Sequence, residues 1–201
     1  KRQTLEILAP QKLDVQRLLV VGLGAASELS EADWVNLGGL VHAQISARKA
    51  VSASLIAEWP GDEKGGESKR DGSQIAADLA FGALLRSYAF KKYRTKRREE
   101  EEGKAEPGAA DAAGPERDGL ATLVVQCADP RAAEAAFLAR QAVADGTFIA
   151  RDLVNEPANM LGPVEFAARA AELSKLGVEI TVLEPERLAE LKMNTLLCVA
   201  Q

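Results

Sequence analysis

The stretch Arg151-Asp152-Leu153-Val154-Asn155-Glu156-Pro157-Ala158-Asn159-Met160-Leu161-Gly162-Pro163 constrains this chain more than any other. Pro157 has no N–H to donate and bars its predecessor Glu156 from the helical region, so a helix arriving through Val154 must stop there. Asn155 and Asn159 suit a turn, where their side chains bond nearby backbone. Pro163 suits the first position of a new helix, where a missing donor costs nothing. Taken alone, this turn chemistry describes a structured link between two units.

The segments on either side alternate strand and helix. Leu5–Leu8 reads as a short strand ended by Pro10, and Arg17–Val21 as a strand covered on both faces, closed by Gly22-Leu23-Gly24. Ser30-Glu31-Ala32-Asp33 resembles a capping box with Asp in place of Glu. The helix it starts carries Trp34, Leu37, Val41 and Ile45 as one buried stripe. Gly38-Gly39 lies mid-helix, which costs stability unless another backbone packs closely there. Val51–Ile56 is a second buried strand, and a helix from Ser73 presents Ala77, Phe81, Leu84, Leu85 and Tyr88 on one side before a basic end, Lys91–Arg98.

Residues 99–119 offer acids, Gly, Ala and Pro without a periodic apolar face, so a mobile acidic loop is expected there. Ala121–Val125 resumes as a buried strand. A helix of roughly 24 residues then follows Asp129-Pro130, about 36 Å long, with Ala135, Leu138, Ala142, Gly146, Ile149 and Leu153 as its stripe. Beyond the Pro157 turn, the pattern predicts a helix over Val164–Leu176 with Phe166, Ala170 and Leu173 inward, and a strand over Val178–Leu183. A short helix over Pro185–Leu191 and a strand over Thr195–Val199 complete it. Such alternation indicates α/β layers with mostly parallel pairing.

Composition narrows the function classes. No run of about 18 uncharged apolar residues exists, and Lys1–Thr4 leads into a strand and not a signal-peptide core. The net charge of −5 argues against a general affinity for nucleic acid or anionic membrane. His42 is the only histidine, and Cys127 and Cys198 are the only cysteines, in no ligand spacing, so zinc sites of the usual Cys/His kind are excluded. A reduced, cytoplasmic protein is expected. The chain does not begin with Met, which suggests a trimmed segment.

Few groups invite chemistry. Gly22-Leu23-Gly24-Ala25-Ala26-Ser27 follows a strand but lacks the third glycine of a dinucleotide fingerprint, and no acid ends a strand about 20 positions later. His42 reads as a partly buried structural histidine, and Cys127 as a small buried hydrophobe. The cations of Lys91–Arg98 could meet phosphates, but Glu99–Glu102 follows at once, so a solvated helix end is the plainer reading. The acid pairs Glu184/Glu186 and Asp152/Glu156 read as surface or capping groups.

Three blocks carry a resemblance over nearly the whole chain: Arg17–Gly24; Phe81–Tyr88 with Tyr93–Lys96; and Ala150–Pro163 leading to Leu196–Gln201. Together they resemble the cytosolic leucyl aminopeptidase family. That resemblance implies an α/β fold: a macro-like N-terminal domain with a mostly parallel mixed sheet flanked by helices, then a long linker helix, then the first β/α elements of a second α/β domain. The implied boundaries are 1–129 with its acidic loop at about 99–119, 130–156, and 157–201 as the truncated start of the peptidase domain.

The resemblance also implies a segment ahead of Lys1 that this sequence does not carry. In the family, two divalent ions, Mn or Zn, activate water to remove N-terminal residues from peptides. The Lys-Gly…Asp-Thr-Gly-Gly and Asn-Thr-Asp-Ala-Glu-Gly-Arg blocks that bind them are absent here. No residue is therefore assigned a catalytic, metal or cofactor-binding role. The segment is expected to be inactive and structural, part of a cytoplasmic homo-oligomer, a hexamer by resemblance, with peptide substrates met through the missing domain and no membrane contact. A macro-type ADP-ribose or nucleotide module and a DNA-binding accessory domain remain as alternatives.

Overall fold

The computed structural model describes residues 3–24, 29–57, 71–93 and 120–199. The contacts divide the chain into two units, Lys1–Asp145 and Gly146–Gln201.

In the first unit, β1 (Thr4–Leu8) and β2 (Arg17–Val21) form an antiparallel pair, with Leu5 opposite Val20 and Glu6 opposite Leu19. Glu6 accepts from Arg17 Nη1 at 2.8 Å, and Arg48 Nε lies 3.1 Å from the same carboxylate oxygen, which ties this hairpin to the end of the next helix. That helix, α1 (Glu31–Ala47), begins with the expected capping box. Asp33 N–H donates to Ser30 Oγ at 3.3 Å, and Ser30 N–H donates to Asp33 Oδ2 at 3.0 Å. Two of the helix's orphan donors or their neighbours are satisfied in this way.

β3 (Ser52–Ile56) and β4 (Thr122–Gln126) pair in parallel, joined through α2 (Gly72–Ser87). The α1 and α2 helices pack on each other so tightly that a side chain at Gly38 would meet the carbonyl of Leu79, its carbon at 2.8 Å. A side chain at Gly82 would likewise meet the carbonyl carbon of Val35 at 2.7 Å. This is the close backbone approach that the mid-helix glycines require. Trp34, Leu37 and Val41 from α1 and Ile75 and Leu79 from α2 form the core, with Val21 at the end of β2, Leu23 just beyond it, and Leu55 and Ala57 of the β3 region packed against it. Burying side chains of this size contributes on the order of 2 kcal/mol each.

The buried face of α2 differs from the expected one. Ile75, Ala76, Ala77, Leu79 and Ala83 are buried, whereas Phe81, Leu84, Leu85 and Tyr88 are only partly so. The glycine contact at Gly82 rotates this face toward α1. The helix also stops at Ser87, with Tyr88 extended at φ −56°, ψ 129°, so Lys91 and Lys92 stand outside it. The rest of the basic run and the acidic loop at 99–119 lie outside the described residues. Nor are the strands covered on both faces: β3 and β4 each alternate exposed and partly buried positions, the mark of a sheet packed on one side.

The helix α3 (Pro130–Asn155) runs unbroken through the boundary between the units. Its expected inward stripe is mostly exposed: Leu138 is 61% and Ile149 49% exposed, Leu153 is partly buried, and among the described residues of α3 only Ala133 and Ala144 are buried.

In the second unit, α4 (Pro163–Ala171) passes into a 3₁₀ turn, Glu172–Leu176, that Gly177 ends in the left-handed conformation at φ 83°. Within α4 and this turn, Ala170 and Leu173 are partly buried, but Phe166 is 53% exposed. α5 (Pro185–Glu190) and α6 (Asn194–Val199) follow. Two strand expectations fail here. Val178–Leu183 has no strand partner among the described residues, and an extended segment without a ladder is not a strand. Thr195–Val199 is helical, because a short apolar run with Leu196 and Leu197 suits either state and the local context decides.

Candidate functional site

The junction is built as its residues demand. α3 ends at Asn155, whose side-chain amide donates to Arg151 O at 2.9 Å, and Glu156 N–H still reaches Asp152 O at 3.0 Å. At Pro157 the ladder stops. Met160 and Leu161 N–H turn back onto Pro157 O at 2.9 and 3.1 Å. Gly162 N–H then donates to Glu165 Oε2 at 3.0 Å, and Pro163 opens α4. A terminated helix, a tight turn and a capped new helix occupy a dozen or so residues, so local bonds set the direction of the chain here.

In the first unit, a groove of about 250 Å³ lies between α2, β4 and the start of α3. Ala76, Ala80, Leu123, Val125 and Phe137 give it an apolar wall, and Cys127 and Glu134 stand in it. On the same helix α2, Asp78 is fully buried. Arg140 of α3 donates to it through Nε at 2.7 Å and also to Gln74 Oε1 at 2.9 Å and Ala136 O at 2.7 Å. The sequence reading missed this cluster. Its one signal was an acid, Asp78, amid the small and apolar residues of a core helix.

The residues singled out from sequence do not converge. His42 is partly buried on α1, and its pKa is held below the usual value first by burial and then by the charge of Arg86. Cys127 is partly buried and Cys198 exposed, both as free thiols. Glu184 and Glu186 are exposed at the start of α5, and Asp152 and Glu156 sit at the end of α3. The Gly22–Gly24 turn is described only to Gly24, at φ 82°, and the rest of the motif falls outside the described residues. Among the described residues, no group of three or more His, Cys, Asp or Glu could hold a metal ion, and no helix is long and apolar enough to cross a membrane.

Comparison with known proteins follows this division of the chain. Residues 1–97 match the "Cytosol aminopeptidase family, N-terminal domain" and residues 148–201 the "Cytosol aminopeptidase family, catalytic domain". The chain belongs to the cytosol aminopeptidase family. It is 42% identical over 198 residues to a probable cytosol aminopeptidase of Rhizobium rhizogenes, covering 98% of this chain and 36% of that protein. It is 45% identical over 198 residues to one of a Chelativorans species, covering 98% and 35%. This member of the cytosol aminopeptidase family thus spans about a third of the length of the relatives it matches.

Solved structures agree on the fold. The bottromycin maturation enzyme BotP in complex with Mn superposes with a TM-score of 0.65 at 26% identity, over 94% of this chain and 34% of that one. A tomato leucine aminopeptidase mutant gives 0.66 at 22% identity, over 94% and 33%. The α/β expectation holds, with the β3–β4 pair parallel.

Proposed function

We propose that this chain is the non-catalytic N-terminal portion of a two-metal leucyl aminopeptidase that removes N-terminal residues from peptides. The observation that carries this reading is the order of the two family matches, N-terminal domain before α3 ends and catalytic domain after it begins to leave the first unit. We divide the chain accordingly into a macro-like domain at 1–129, a linker helix at 130–156 and the start of a peptidase domain at 157–201.

Two divalent ions about 3.5 Å apart need several carboxylates converging on one point. The described residues do not fit such a pair: no acid cluster of that kind exists among them, and His42 lies under the field of a cation. No step of the reaction is derived through this segment, and none of its residues takes a catalytic, metal or cofactor-binding role. Its part in the whole enzyme is folding support, contact between subunits of a cytoplasmic hexamer, and restriction of access to a Mn or Zn centre elsewhere.

Incubation with leucine p-nitroanilide and Mn²⁺ or Zn²⁺ tests the reading. The expected result is no release of nitroaniline above the metal-only control. Turnover at an enzyme's ordinary rate would overturn it.

A further inference from the structure

We infer that the second unit is a docking surface for the remainder of a peptidase domain, and that it binds that remainder without a covalent link between the two. The inference rests on the reading of residues 157–201 as the start of such a domain.

The unit has no core of its own. Among the described residues from Gly146 onward none is buried, although large apolar side chains are frequent there. Val164 on α4 is 77% exposed and Val199 on α6 82%. The first unit, by contrast, encloses Trp34, Leu37 and Leu79. A piece of chain this short buries too little apolar surface to stabilise itself. Apolar surface left wet on this scale marks an interface.

The segment Val178–Leu183 adds a second requirement. Val178, Ile180 and Val182 alternate with Glu179 and Thr181, the period of a strand with one apolar face. Both ends of the segment are set locally. Gly177 turns the chain in the left-handed conformation before it, and Glu184 is the N-cap of α5 after it. Among the described residues, Val178–Leu183 makes no backbone hydrogen bond to another segment, and Val178 and Val182 are exposed. Backbone held at both ends and left unpaired in this way is open to pairing with a partner's sheet edge.

The comparisons and the chemistry of the surface choose the occupant together. The catalytic-domain match runs over residues 148–201 and so covers almost the whole unit. In the Rhizobium rhizogenes relative, about two thirds of the protein lies outside the match. The occupant must offer a sheet edge to Val178–Leu183 and an apolar face to Val164 and Val199, which a folded α/β layer does and a short peptide does not. A second copy of the unit brings the same uncovered side chains and, among the described residues, no sheet.

Co-expression of two polypeptides tests this: the present chain with an affinity tag, and the part of the Rhizobium rhizogenes relative that follows its match. The same two pieces joined at Gln201 serve as a single-chain reference. The remainder is expected to co-purify with the tagged chain, and the pair to hydrolyse leucine p-nitroanilide with Mn²⁺ within about tenfold of the joined chain. Amides of Val178–Leu183 should exchange at least about tenfold more slowly in the pair than in the chain alone, by mass spectrometry. Val178→Asp with Val182→Asp should abolish co-purification, whereas Leu8→Lys in the first unit should leave it intact. Pieces that stay apart while the joined chain is active overturn the docking and leave the reading of the domain standing. A silent joined chain overturns both. Association that survives the double aspartate change, or a homodimer of the present chain that shuts the remainder out, overturns the assigned surface.

Discussion

Arg140 Nε lies 2.7 Å from the carboxylate of Asp78, which no solvent reaches, although 62 positions separate the two in sequence. The pair fastens the first half of α3 to α2, and Gln74 shares the same guanidinium at 2.9 Å. Breaking it from one side leaves an acid buried without its cation. Arg140→Met is expected to lower unfolding stability by about 3 kcal/mol, read as a fall in the urea midpoint. Replacing both residues together, Asp78→Leu with Arg140→Met, should cost clearly less than the single change, because no charge is then stranded.

The glycines of the helices predict opposite signs. Gly82→Ala pushes a methyl into the carbonyl of Val35, and Gly38→Ala does the same at Leu79. Each should destabilise by about 1–3 kcal/mol despite the better helix propensity of alanine. Gly146 has nothing within 4 Å of where a side chain would go. Gly146→Ala should therefore stabilise α3 by up to about 1 kcal/mol, seen as a higher melting temperature by circular dichroism.

Removing the cap of α1 gives a smaller effect of known size. Ser30→Ala abolishes the bond from Asp33 N–H to Ser30 Oγ, and should cost about 1 kcal/mol in denaturant titration. Ser30→Asp should restore most of it.

Among the described residues, Glu6 and His42 each contribute a pH dependence. Glu6 has its pKa lowered from 4.5, first by its hydrogen bond with Arg48 and then by that with Arg17. A depressed carboxylate contributes stability above its unfolded pKa that is lost as pH falls through the folded value. The loss therefore sets in below about pH 4.5, and Glu6→Gln should flatten that part of the curve. His42 has its pKa lowered from 6.5 by burial and by Arg86. Here the unfolded chain takes up the proton first, so stability falls as pH drops below 6.5 until the folded histidine also charges. His42→Gln should remove that slope in urea titrations between pH 7 and pH 5.

Local signals were legible in the sequence wherever a few neighbouring residues decide the outcome. Ser30 with Asp33, Gly38 against a second backbone, Pro157 as a helix stop and Pro163 as a start all act within a turn or two. What could not be read depends on partners far away. Runs such as Leu18–Val21 carry no polar residue and so predict strands covered on both faces, yet β3 and β4 alternate exposed and partly buried positions. The periodic stripe of α3 is real in sequence, but Leu138 and Ile149 stay about half exposed or more here. Val178–Leu183 had the composition of a strand without a partner to make it one. Asp78 was passed over because an acid in a helix is ordinarily a surface group, and only the fold brings Arg140 to it.

The continuity of α3 also bears on how the chain can be cut. A protease must draw several residues of extended backbone into its cleft. Between Asp145 and Gly146 the backbone is wound and bonded to itself. The passage from one unit to the next therefore offers no ready scissile site, and severing it requires that the helix first unwind.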